Sequence, residues 1–447
     1  MKHQISGDVF LEPIEDEFLV YAPLHNVAFL VDQAGADFIE RLKGSGLEKI
    51  APEYYALHEY LTSLGLLDGE TPNPNAESDP FNPTQVLLLL TANCNLRCTY
   101  CFSRGGEDRT NLPLHVAQSA IDLVVTNAKS KNEVARIHFH GGGEPTLRWE
   151  TLTACTNYLR SVARAVAIRS HTKLNTNGVM SLDRVRWIAE NIDSIFISFD
   201  GPPRAHNHQR PLASGAGSFD SVHATMAELS RLGKEFFVRA TITSDNVRHM
   251  PELIDELAQL KVSGVEFEPL TRCGRANDAG VEGPSSEDYI AAFVEAERRA
   301  ATVGIKTIFS GVRLGGISSV YCGAAGRNFA VTPKGVATLC HRVSDASDPG
   351  AEFYHYGAYS EARGMFEFDL ARVDKMAGLN CEQSKACCSC FAKWNCSGGC
   401  YAQNYADTGS LLLETRNDKC EMTRELTKRA LVRSIRAQSP PLSRQGV

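Results

Sequence analysis

Residues 86–101 read VLLLLTANCNLRCTYC, a short apolar run followed at once by three cysteines. The run has the length of a buried strand and is far shorter than the ~20 residues that cross a bilayer. Cys94, Cys98 and Cys101 follow it with C-x3-C-x2-C spacing. Three thiolates on one tight loop favour an iron–sulfur cluster, and three ligands on a four-iron cluster leave one iron open for a substrate. From spacing alone, a three-cysteine zinc site and ordinary buried thiols remain alternatives.

Strand and helix patterns alternate after this stretch. Short apolar or β-branched runs predict six strands, at 86–91, 135–140, 170–175, 194–199, 236–242 and 264–268. Helical patterns follow them, near 114–128, 149–166, 181–190, 218–232, 249–260 and 286–303. Six βα units in a row predict an α/β fold with a parallel sheet and helices outside it. The connections favour a doubly wound sheet or a barrel, and six units are too few for an eight-fold barrel.

Length and composition indicate a globular chain of several domains. It has 447 residues, 43% hydrophobic and 22% charged, which leaves room for about three domains. The net charge is -7 and the pI is near 6.0, which argues against a general nucleic-acid binder. The first residues, MKHQISGDVFLEP, contain no apolar secretion signal. We therefore expect a soluble, cytoplasmic protein without a membrane segment, whose 14 cysteines are metal ligands or catalytic groups rather than disulfides.

The N-terminal segment differs from the rest in charge. Residues 1–70 contain four Lys or Arg and 13 Asp or Glu, so the acidic excess of the chain lies here. The apolar pattern predicts two strands and two helices, at 18–21, 27–31, 36–42 and 54–64. The stretch TPNPNAESDPFNP then has four prolines and neither helical nor strand periodicity. We predict a domain over 1–72 and a linker over 73–83.

Cysteines crowd the last third of the chain, where the apolar periodicity fades. We expect residues 309–430 to lack a large aliphatic core and 431–447 to form a frayed tail. Zinc remains open for these cysteines, since C-x2-C is also a zinc signature. Two cysteines stand apart: Cys155 is expected in the core, and Cys273 is expected to be a buried thiol or to touch substrate near a barrel mouth. The crowded series is Cys322, Cys340, Cys387, Cys390, Cys396, Cys400 and Cys420.

Several short motifs occur in order at the ends of the predicted strands. C-x3-C-x-aromatic-C, with Tyr100 as the aromatic residue, is followed by HGGGEPTL, LNTNG, SFDGPP and VRATIT. Together they resemble the radical S-adenosylmethionine (SAM) enzymes over residues 84–310, with 142–145 matching the GGEP motif of that family. The resemblance implies a partial (β/α)6 barrel over 84–308. It also implies that the three cysteines of the first loop hold a [4Fe–4S] cluster and that SAM binds its open iron.

The resemblance further implies where SAM is held. The backbone of the GGEP turn and Glu144 would bind the methionine ammonium. Short polar groups at later strand ends are candidates for contacts to the ribose and carboxylate, and Arg239 could pair with the carboxylate. The alternative for these residues is ordinary turn chemistry, since Asn-Gly and Asp-Gly are common turn pairs. The implied SAM-binding residues are Tyr100, Gly142, Gly143, Glu144, Pro145, Asn175, Asn177, Ser198, Asp200 and Arg239.

The later cysteines resemble the SPASM domain, an extension of radical SAM enzymes that mainly modify peptides. The resemblance implies two auxiliary [4Fe–4S] clusters, and therefore three clusters in the whole chain. One would be bound completely, by Cys387, Cys390, Cys396 and Cys420. The other would be bound by Cys322, Cys340 and Cys400. That cluster would either keep an open iron or be completed by His341, Cys381, Cys388 or a substrate group.

The strand-and-helix unit at 1–72 resembles, by element order, the PqqD-like recognition element of peptide maturases, a small winged-helix-like domain. This implies binding of a precursor peptide through its leader segment, which would add a strand to an exposed sheet edge. An acidic surface would favour a leader with basic residues. A structural cap and a DNA-binding winged helix are alternatives, and the acidic charge counts against the second.

These resemblances imply a radical SAM maturase of a ribosomally synthesised peptide. It would abstract hydrogen with a 5′-deoxyadenosyl radical and form a thioether or carbon–carbon crosslink, with a flavodoxin- or ferredoxin-type protein as electron donor. A formylglycine-forming oxidase like the sulfatase maturases, and a non-enzymatic electron-transfer or scaffold protein, are the alternatives. No catalytic acid or base can be named, and Tyr321, His341 and Asp345 are interpreted as surface or packing residues.

Overall fold

The computed structural model describes residues 3–5, 7–44, 46–67, 72, 74 and 81–438. The predicted linker at 73 and 75–80, and the predicted tail from 439 onward, lie outside these residues. Among the residues described, no helix is long and apolar enough to cross a membrane.

The N-terminal domain is a three-stranded antiparallel sheet with helices on one face. Its elements are β1 (Phe10–Ile14), β2 (Glu17–Ala22), β3 (Val27–Val31), α1 (Gln33–Lys43) and α2 (Tyr55–Ser63). Asp32 caps α1 by accepting a hydrogen bond from the Gly35 amide at 2.8 Å. Both predicted strands and both predicted helices are present. The sequence does not predict β1, because Pro13 removes a ladder donor from an otherwise short apolar run.

The rest of the chain is built on one eleven-stranded sheet. Its first seven strands are parallel neighbours in chain order. They are β4 (Gln85–Leu88), β5 (Ala135–Phe139), β6 (Ser170–Thr176), β7 (Ser194–Ser198), β8 (Phe237–Ile242), β9 (Gly264–Pro269) and β10 (Lys306–Ile308). All six predicted strands are present, and β10 is a seventh that is too short for a sequence pattern to indicate.

Helices connect these strands and cover one face of the sheet. They are α3 (Leu114–Lys131), α4 (Trp149–Ala165), α5 (Leu182–Asn191), α6 (Pro203–Gln209), α7 (Phe219–Arg231), α8 (Met250–Gln259), α9 (Arg275–Ala279) and α10 (Ser286–Val303). The six predicted helices correspond to α3, α4, α5, α7, α8 and α10. Alternate strand residues, such as Ile137 and Val238, are fully buried against them in the main hydrophobic core. The residues between them face the opposite side of the sheet.

The C-terminal segment extends the same sheet. Its strands are β11 (Ala330–Val331), β12 (Val336–Thr338), β13 (His355–Ser360) and β14 (Met365–Phe368), and β11 lies parallel to β4. Its helices are α11 (Ala351–Tyr354), α12 (Leu370–Ala377), α13 (Lys393–Cys396), α14 (Tyr401–Thr408) and α15 (Asp418–Gln438). This segment shares the main hydrophobic core of the parallel sheet. Buried aromatic side chains, including Phe329, Tyr354 and Tyr356, join it to the main core.

The N-terminal domain docks on the C-terminal segment through its other sheet face. The Tyr21 hydroxyl donates to Asn395 Oδ1 at 3.0 Å. Asp8 accepts a hydrogen bond from Trp394 Nε1 at 2.7 Å and pairs with Lys393 at 2.7 Å. Glu12, Glu15 and Glu17 similarly pair with the arginines Arg424 and Arg436. Part of the acidic excess is therefore neutralised inside the chain, which weakens the expectation that it attracts a basic leader.

Candidate active site

The first thiol site consists of Cys94, Cys98 and Cys101, on the loop that leaves the carboxyl end of β4. Two arginines hold the backbone of this loop. Arg97 Nη1 donates to the Cys94 carbonyl oxygen at 2.8 Å, and Arg275 Nη1 donates to the Cys98 carbonyl oxygen at 2.9 Å. Because side chains from outside the cysteine set fix the loop, its thiols remain available as ligands.

The surroundings of these thiols suit metal-bound thiolates. The Leu96 amide donates to Cys94 Sγ at 3.4 Å, and the Gly105 amide donates to Cys101 Sγ at 3.3 Å. Amide donors to sulfur stabilise cluster ligands and tune their potential. Burial first, then the neighbouring Cys101 and Cys94 thiols, raise the pKa of Cys98 to about 12, so this thiol would lose its proton only to a bound metal. Three soft sulfur donors near one another could ligate three irons of a [4Fe–4S] cluster and leave the fourth iron open.

Gly142 and Gly143 allow the chain after β5 to pass the cysteine loop at close range. The Gly143 amide donates to the Thr91 carbonyl oxygen at 2.7 Å. A Cβ on Gly143 would lie 1.8 Å from the Asn93 carbonyl oxygen, and Gly142 has φ +72°, a left-handed conformation that favours glycine. The close approach of two backbone segments therefore explains both glycines.

The buried Glu144 carboxylate ties this turn to the end of β6. Its Oε1 accepts from the Thr146 amide at 3.1 Å and from the hydroxyls of Thr146 and Thr176, both at 2.7 Å. Its Oε2 accepts from the Asn177 amide at 2.8 Å, and Pro145 begins a short 3-10 helix. A carboxylate offers about four acceptor positions, two on each oxygen, so Oε2 keeps one position free. The methionine ammonium could therefore contact this oxygen as well as the backbone of the turn.

Tyr100, the aromatic residue of the cysteine loop, belongs to a buried polar network. Its hydroxyl donates to Asp200 Oδ2 at 2.5 Å and accepts from Arg210 Nη1 at 2.5 Å. Asp200 also accepts from Gln209 Nε2 and the Thr241 amide, both at 3.0 Å. Asp200 thus positions Tyr100 from within the protein. The sequence does not predict Arg210 or Gln209, although the polar stretch HNHQRP after SFDGPP is a signal for them.

Asn177 joins the first thiol site to the end of β6. Its Nδ2 donates to Asn95 Oδ1 at 2.7 Å and lies 3.8 Å from Cys94 Sγ. Its Oδ1 accepts from the Val179 amide at 2.9 Å, which is an Asx turn. Asn177 therefore forms an ordinary Asx turn and also lies beside the thiols.

Other predicted site residues lie on the sheet face that is turned away from the helices. Asn175 Oδ1 lies 2.6 Å from His138 Nε2 on the neighbouring strand. Ser198 is half-buried at the end of β7 and lies opposite Arg239 in the strand register. Arg239 forms an ion pair with Glu266 on β9 at 2.9 Å, so a SAM carboxylate would share this guanidinium with Glu266. The face is polar, as a binding cavity with a few oriented polar groups requires.

Three histidines lie where the C-terminal segment reaches this polar face. The ring centroids of His138 and His140 are 5.0 Å apart, and those of His140 and His341 are 4.4 Å apart. Burial is the main cause that lowers the pKa of His138 to about 4 and that of His341 to about 3. The two rings are therefore uncharged at neutral pH. The interpretation of His341 as a mere packing residue is incomplete, because its ring borders the site.

The other two residues considered as an acid or base have local partners. Asp345 is paired with Lys334 at 2.5 Å near the surface, in agreement with its interpretation as a surface residue. The Tyr321 hydroxyl lies 2.8 Å from the Ser310 hydroxyl. Neither contact identifies a proton donor or acceptor for a substrate.

The later cysteines fall into two groups in space. The Cys340 group comprises Cys322, Cys340 and Cys400, and the Cys396 group comprises Cys387, Cys390, Cys396 and Cys420. Burial first, then Cys400 and Cys322 nearby, raise the pKa of Cys340. Burial first, followed by a set of neighbouring thiols, raises the pKa of Cys387 to about 12, and that set is Cys396, Cys390, Cys381 and Cys420. This is the division that the SPASM resemblance implies.

The predicted candidates for a fourth ligand of the Cys340 group have different surroundings. Cys381 is a neighbour of the Cys396 group, Cys388 is exposed, and the His341 ring, next to Cys340 in the chain, faces His140. Cys155 is fully buried in the main core, as predicted. Within the described ranges, no three or more Cys, His, Asp or Glu side chains converge to hold a metal ion as they stand.

A protein-family comparison matches the part of the chain that carries the first thiol site. Residues 88–257 match the Radical SAM superfamily, in the part of the chain that contains β4 to β8 and the cysteine loop. The domain implies SAM and one [4Fe–4S] cluster as cofactors, and the first thiol site has the donors to hold that cluster.

Two curated relatives show which radical SAM enzymes this chain is similar to. The cysteine-type anaerobic sulfatase-maturating enzyme of Clostridium perfringens is 27% identical over 177 residues, which are 38% of this chain and 47% of that enzyme. The chain thus matches about half the length of that relative. The PqqA peptide cyclase of Methylocella silvestris is 26% identical over 351 residues, which are 75% of this chain and 87% of the cyclase.

Two solved structures share the fold. Native anSMEcpe with bound AdoMet has a TM-score of 0.63 at 20% identity, and the match covers 79% of this chain and 100% of that one. Streptococcus suis SuiB bound to precursor peptide SuiA has a TM-score of 0.55 at 15% identity, covering 94% and 99%. A match over 94% omits fewer residues than the N-terminal domain contains, so the likeness to SuiB includes part of that domain.

Proposed function

We propose that this chain is a radical SAM maturase that modifies a ribosomally synthesised precursor peptide, by forming a thioether or carbon–carbon crosslink. The observation that carries the proposal is the N-terminal domain, docked on the cysteine-rich segment within a fold whose likeness extends to SuiB with its precursor peptide. The similarity to a PqqA peptide cyclase over 75% of the chain supports the same class of substrate. The radical SAM part would be residues 84–308 and the SPASM-like part 309–430.

When bound, SAM and the cluster would together supply a 5′-deoxyadenosyl radical that removes hydrogen from an unactivated C–H bond. The chain's contribution is to hold and orient. The buried Glu144 carboxylate fixes the turn that would face the methionine ammonium, and the Asp200 network fixes Tyr100. Asn175, Asn177, Ser198 and Arg239 are proposed to line the same site.

The C-terminal segment would close the site. His341 packs against His140 on the polar face and against Phe102 of the cysteine loop, with ring centroids 4.4 and 5.7 Å apart. A segment that covers the mouth of the site excludes water from a reactive radical. Its two thiol groups are proposed to hold two auxiliary [4Fe–4S] clusters, for three in all. The Cys340 group adjoins His341 at the border of the site, so a cluster there could accept the electron that an oxidised product leaves. A flavodoxin- or ferredoxin-type protein is proposed as reductant.

The leader segment is proposed to bind along β3. Both β1 and β3 are edges of the small sheet, but they differ in character. β1 contains Glu12 and Pro13, and charges and prolines protect a sheet edge from pairing. β3 reads VAFLV, and all five residues are half-buried. Because β3 contains no charge or proline, it is the better template for an added strand, which would lie beside α15 where that helix packs on β3.

An intact-mass experiment tests the reaction. The full chain is co-expressed with the short peptide encoded beside its gene, and in parallel as the Cys94→Ala/Cys98→Ala/Cys101→Ala variant. We expect the peptide to lose hydrogens only with the unmodified chain, and fragmentation then locates the crosslink. A peptide of unchanged mass with both proteins would refute crosslinking of that peptide.

Hydrogen–deuterium exchange tests the place of the leader. Added precursor peptide should slow exchange of the amides in 27–31, while 10–14 in β1 serves as the internal control. Slowed exchange in β1 with β3 unchanged would assign the leader to the opposite edge. No change in either strand would remove the peptide-recognition role from this domain and leave it as a structural cap.

The second candidate is oxidation of a Cys or Ser to formylglycine in a protein substrate. The observation that favours it is the similarity to the sulfatase-maturating enzyme and the TM-score of 0.63 to anSMEcpe. Leader dependence separates the two functions. A maturase should lose activity on a peptide without its leader, whereas a formylglycine-forming oxidase should modify a short internal sequence. Production of 5′-deoxyadenosine under reducing, anaerobic conditions would exclude a purely electron-carrying role.

A further inference from the structure

The Cys340 group contains three thiols, while a four-iron cluster has four irons to ligate. Its members come from three separate places: Cys322 precedes β11, Cys340 follows β12, and Cys400 caps α14. A fourth thiol could therefore also come from a distant part of the chain.

Cys273 lies in the loop between β9 and α9, and one arginine connects it with this group. Arg342 Nη2 lies 2.9 Å from Cys273 Sγ, and Nη1 of the same guanidinium lies 3.8 Å from Cys400 Sγ. Arg342 also stands two positions after Cys340 in the chain. One planar cation thus contacts the sulfur of Cys273 and the sulfur of a group member at the same time.

The backbone that follows Cys273 is fixed. A Cβ on Gly274 would lie 2.4 Å from the Cys101 carbonyl oxygen, and Gly274 has φ +56°. The Arg275 amide donates to that same carbonyl oxygen at 2.9 Å. The loop is therefore clamped against the first thiol site on one side, while its thiol faces the Cys340 group through Arg342.

From this juxtaposition we propose that Cys273 is the fourth thiolate ligand of the auxiliary cluster held by the Cys340 group. This inference rests on the proposed presence of that cluster. The thiol would bind as the thiolate and release its proton to solvent, with no change of oxidation state. Arg342 would donate N–H groups to two ligand sulfurs, an arrangement that compensates negative charge at a cluster.

The first test removes the thiol and asks whether an iron becomes open. The background is the full chain carrying Cys94→Ala/Cys98→Ala/Cys101→Ala, loaded with iron and sulfide, so that only the later cysteines contribute to the electron paramagnetic resonance of the reduced protein. Imidazole is added to this protein, to its Cys273→Ala derivative and to a Cys388→Ala control. We expect imidazole to shift the signal only with Cys273→Ala. A shift in all three proteins, or in none, would overturn the proposal.

A second test uses the unsubstituted chain, and so does not depend on the folding of a variant. Anaerobic iodoacetamide treatment is followed by peptide mass spectrometry, before and after removal of iron with a chelator. We expect Cys273 to be alkylated only after iron removal, while the exposed Cys388 reacts in both states. Equal alkylation of Cys273 in both states would contradict ligation.

A failure of this proposal can be distinguished from a failure of the proposed function. If the background protein without the first thiol site retains no iron, the auxiliary clusters of the proposed function are absent. If it retains iron but Cys273 is insensitive in both tests, the proposed function stands, and the thiol is left as a free group beside the site.

Discussion

The amino-acid sequence specifies the first thiol site and the later thiol groups in different ways. Cys94, Cys98 and Cys101 lie within one turn of loop, and arginines outside the cysteine set hold that loop in place. The later cysteines are spread over 322–420 and meet only because strands and helices bring them together. A compact motif can therefore identify the first site, whereas the later groups form only where the fold brings distant cysteines together.

The largest expected effect lies at the first site. Replacing Cys94, Cys98 and Cys101 with alanine removes every thiolate that could hold the SAM-binding cluster, so production of 5′-deoxyadenosine should fall to background. Chromatographic measurement of 5′-deoxyadenosine with dithionite and SAM checks this. The exposed Cys388→Ala variant should retain full production, and residual production by the triple variant would place SAM cleavage elsewhere.

For the free energy of unfolding we expect the opposite order, with the larger loss in the later thiol groups. Cys387→Ala/Cys390→Ala should lower the free energy of unfolding by about 3 kcal/mol or more, because bound metal stabilises the segment that surrounds it. The triple change at the first site should cost less, because Arg97 and Arg275 hold that loop without metal. Anaerobic denaturant unfolding of both iron-loaded variants measures the difference. Equal losses of unfolding free energy would contradict the expected difference between the two regions.

A smaller effect is expected at Glu144, in the turn that connects the ends of β5 and β6. Glu144→Gln replaces an oxygen that accepts hydrogen bonds with an amide that donates them, inside a buried site. The free energy of unfolding should fall by about 2 kcal/mol, as measured by denaturant titration. Glu190→Gln on the exposed side of α5 is the matched control, and an unchanged stability of Glu144→Gln would show that the carboxylate is not needed as a clamp.

The smallest effect is expected at the contact between the N-terminal domain and the C-terminal segment. Asp8→Asn keeps the shape of the side chain but removes the charge that pairs with Lys393. We expect a loss of about 1 kcal/mol, seen as faster proteolysis between the N-terminal domain and the parallel sheet. Asp122→Asn on α3 is a surface control, and identical digestion of both variants would show that the ion pair contributes nothing to docking.

Periodicity identifies the parallel sheet because each of its strands except β10 is a run of four or more residues followed by a helix. β10 and β11 have three and two residues, which is below what an alternating pattern can reveal. The cysteines and glycines of the first site are predictable because they are close in sequence. The network of Tyr100, Asp200 and Arg210 is not, since its hydrogen bonds join residues about one hundred positions apart.

One feature of the docking contact bears on the order in which the molecule is assembled. The residues of the C-terminal segment that receive the N-terminal domain, Lys393, Trp394 and Asn395, are the residues between Cys390 and Cys396. Arg313 and the short helix α13 hold this stretch in place, and a cluster bound by those two sulfurs would brace it further. Iron loading would therefore strengthen the docking of the first domain, so the docked form would be most stable in molecules that already hold their cofactor.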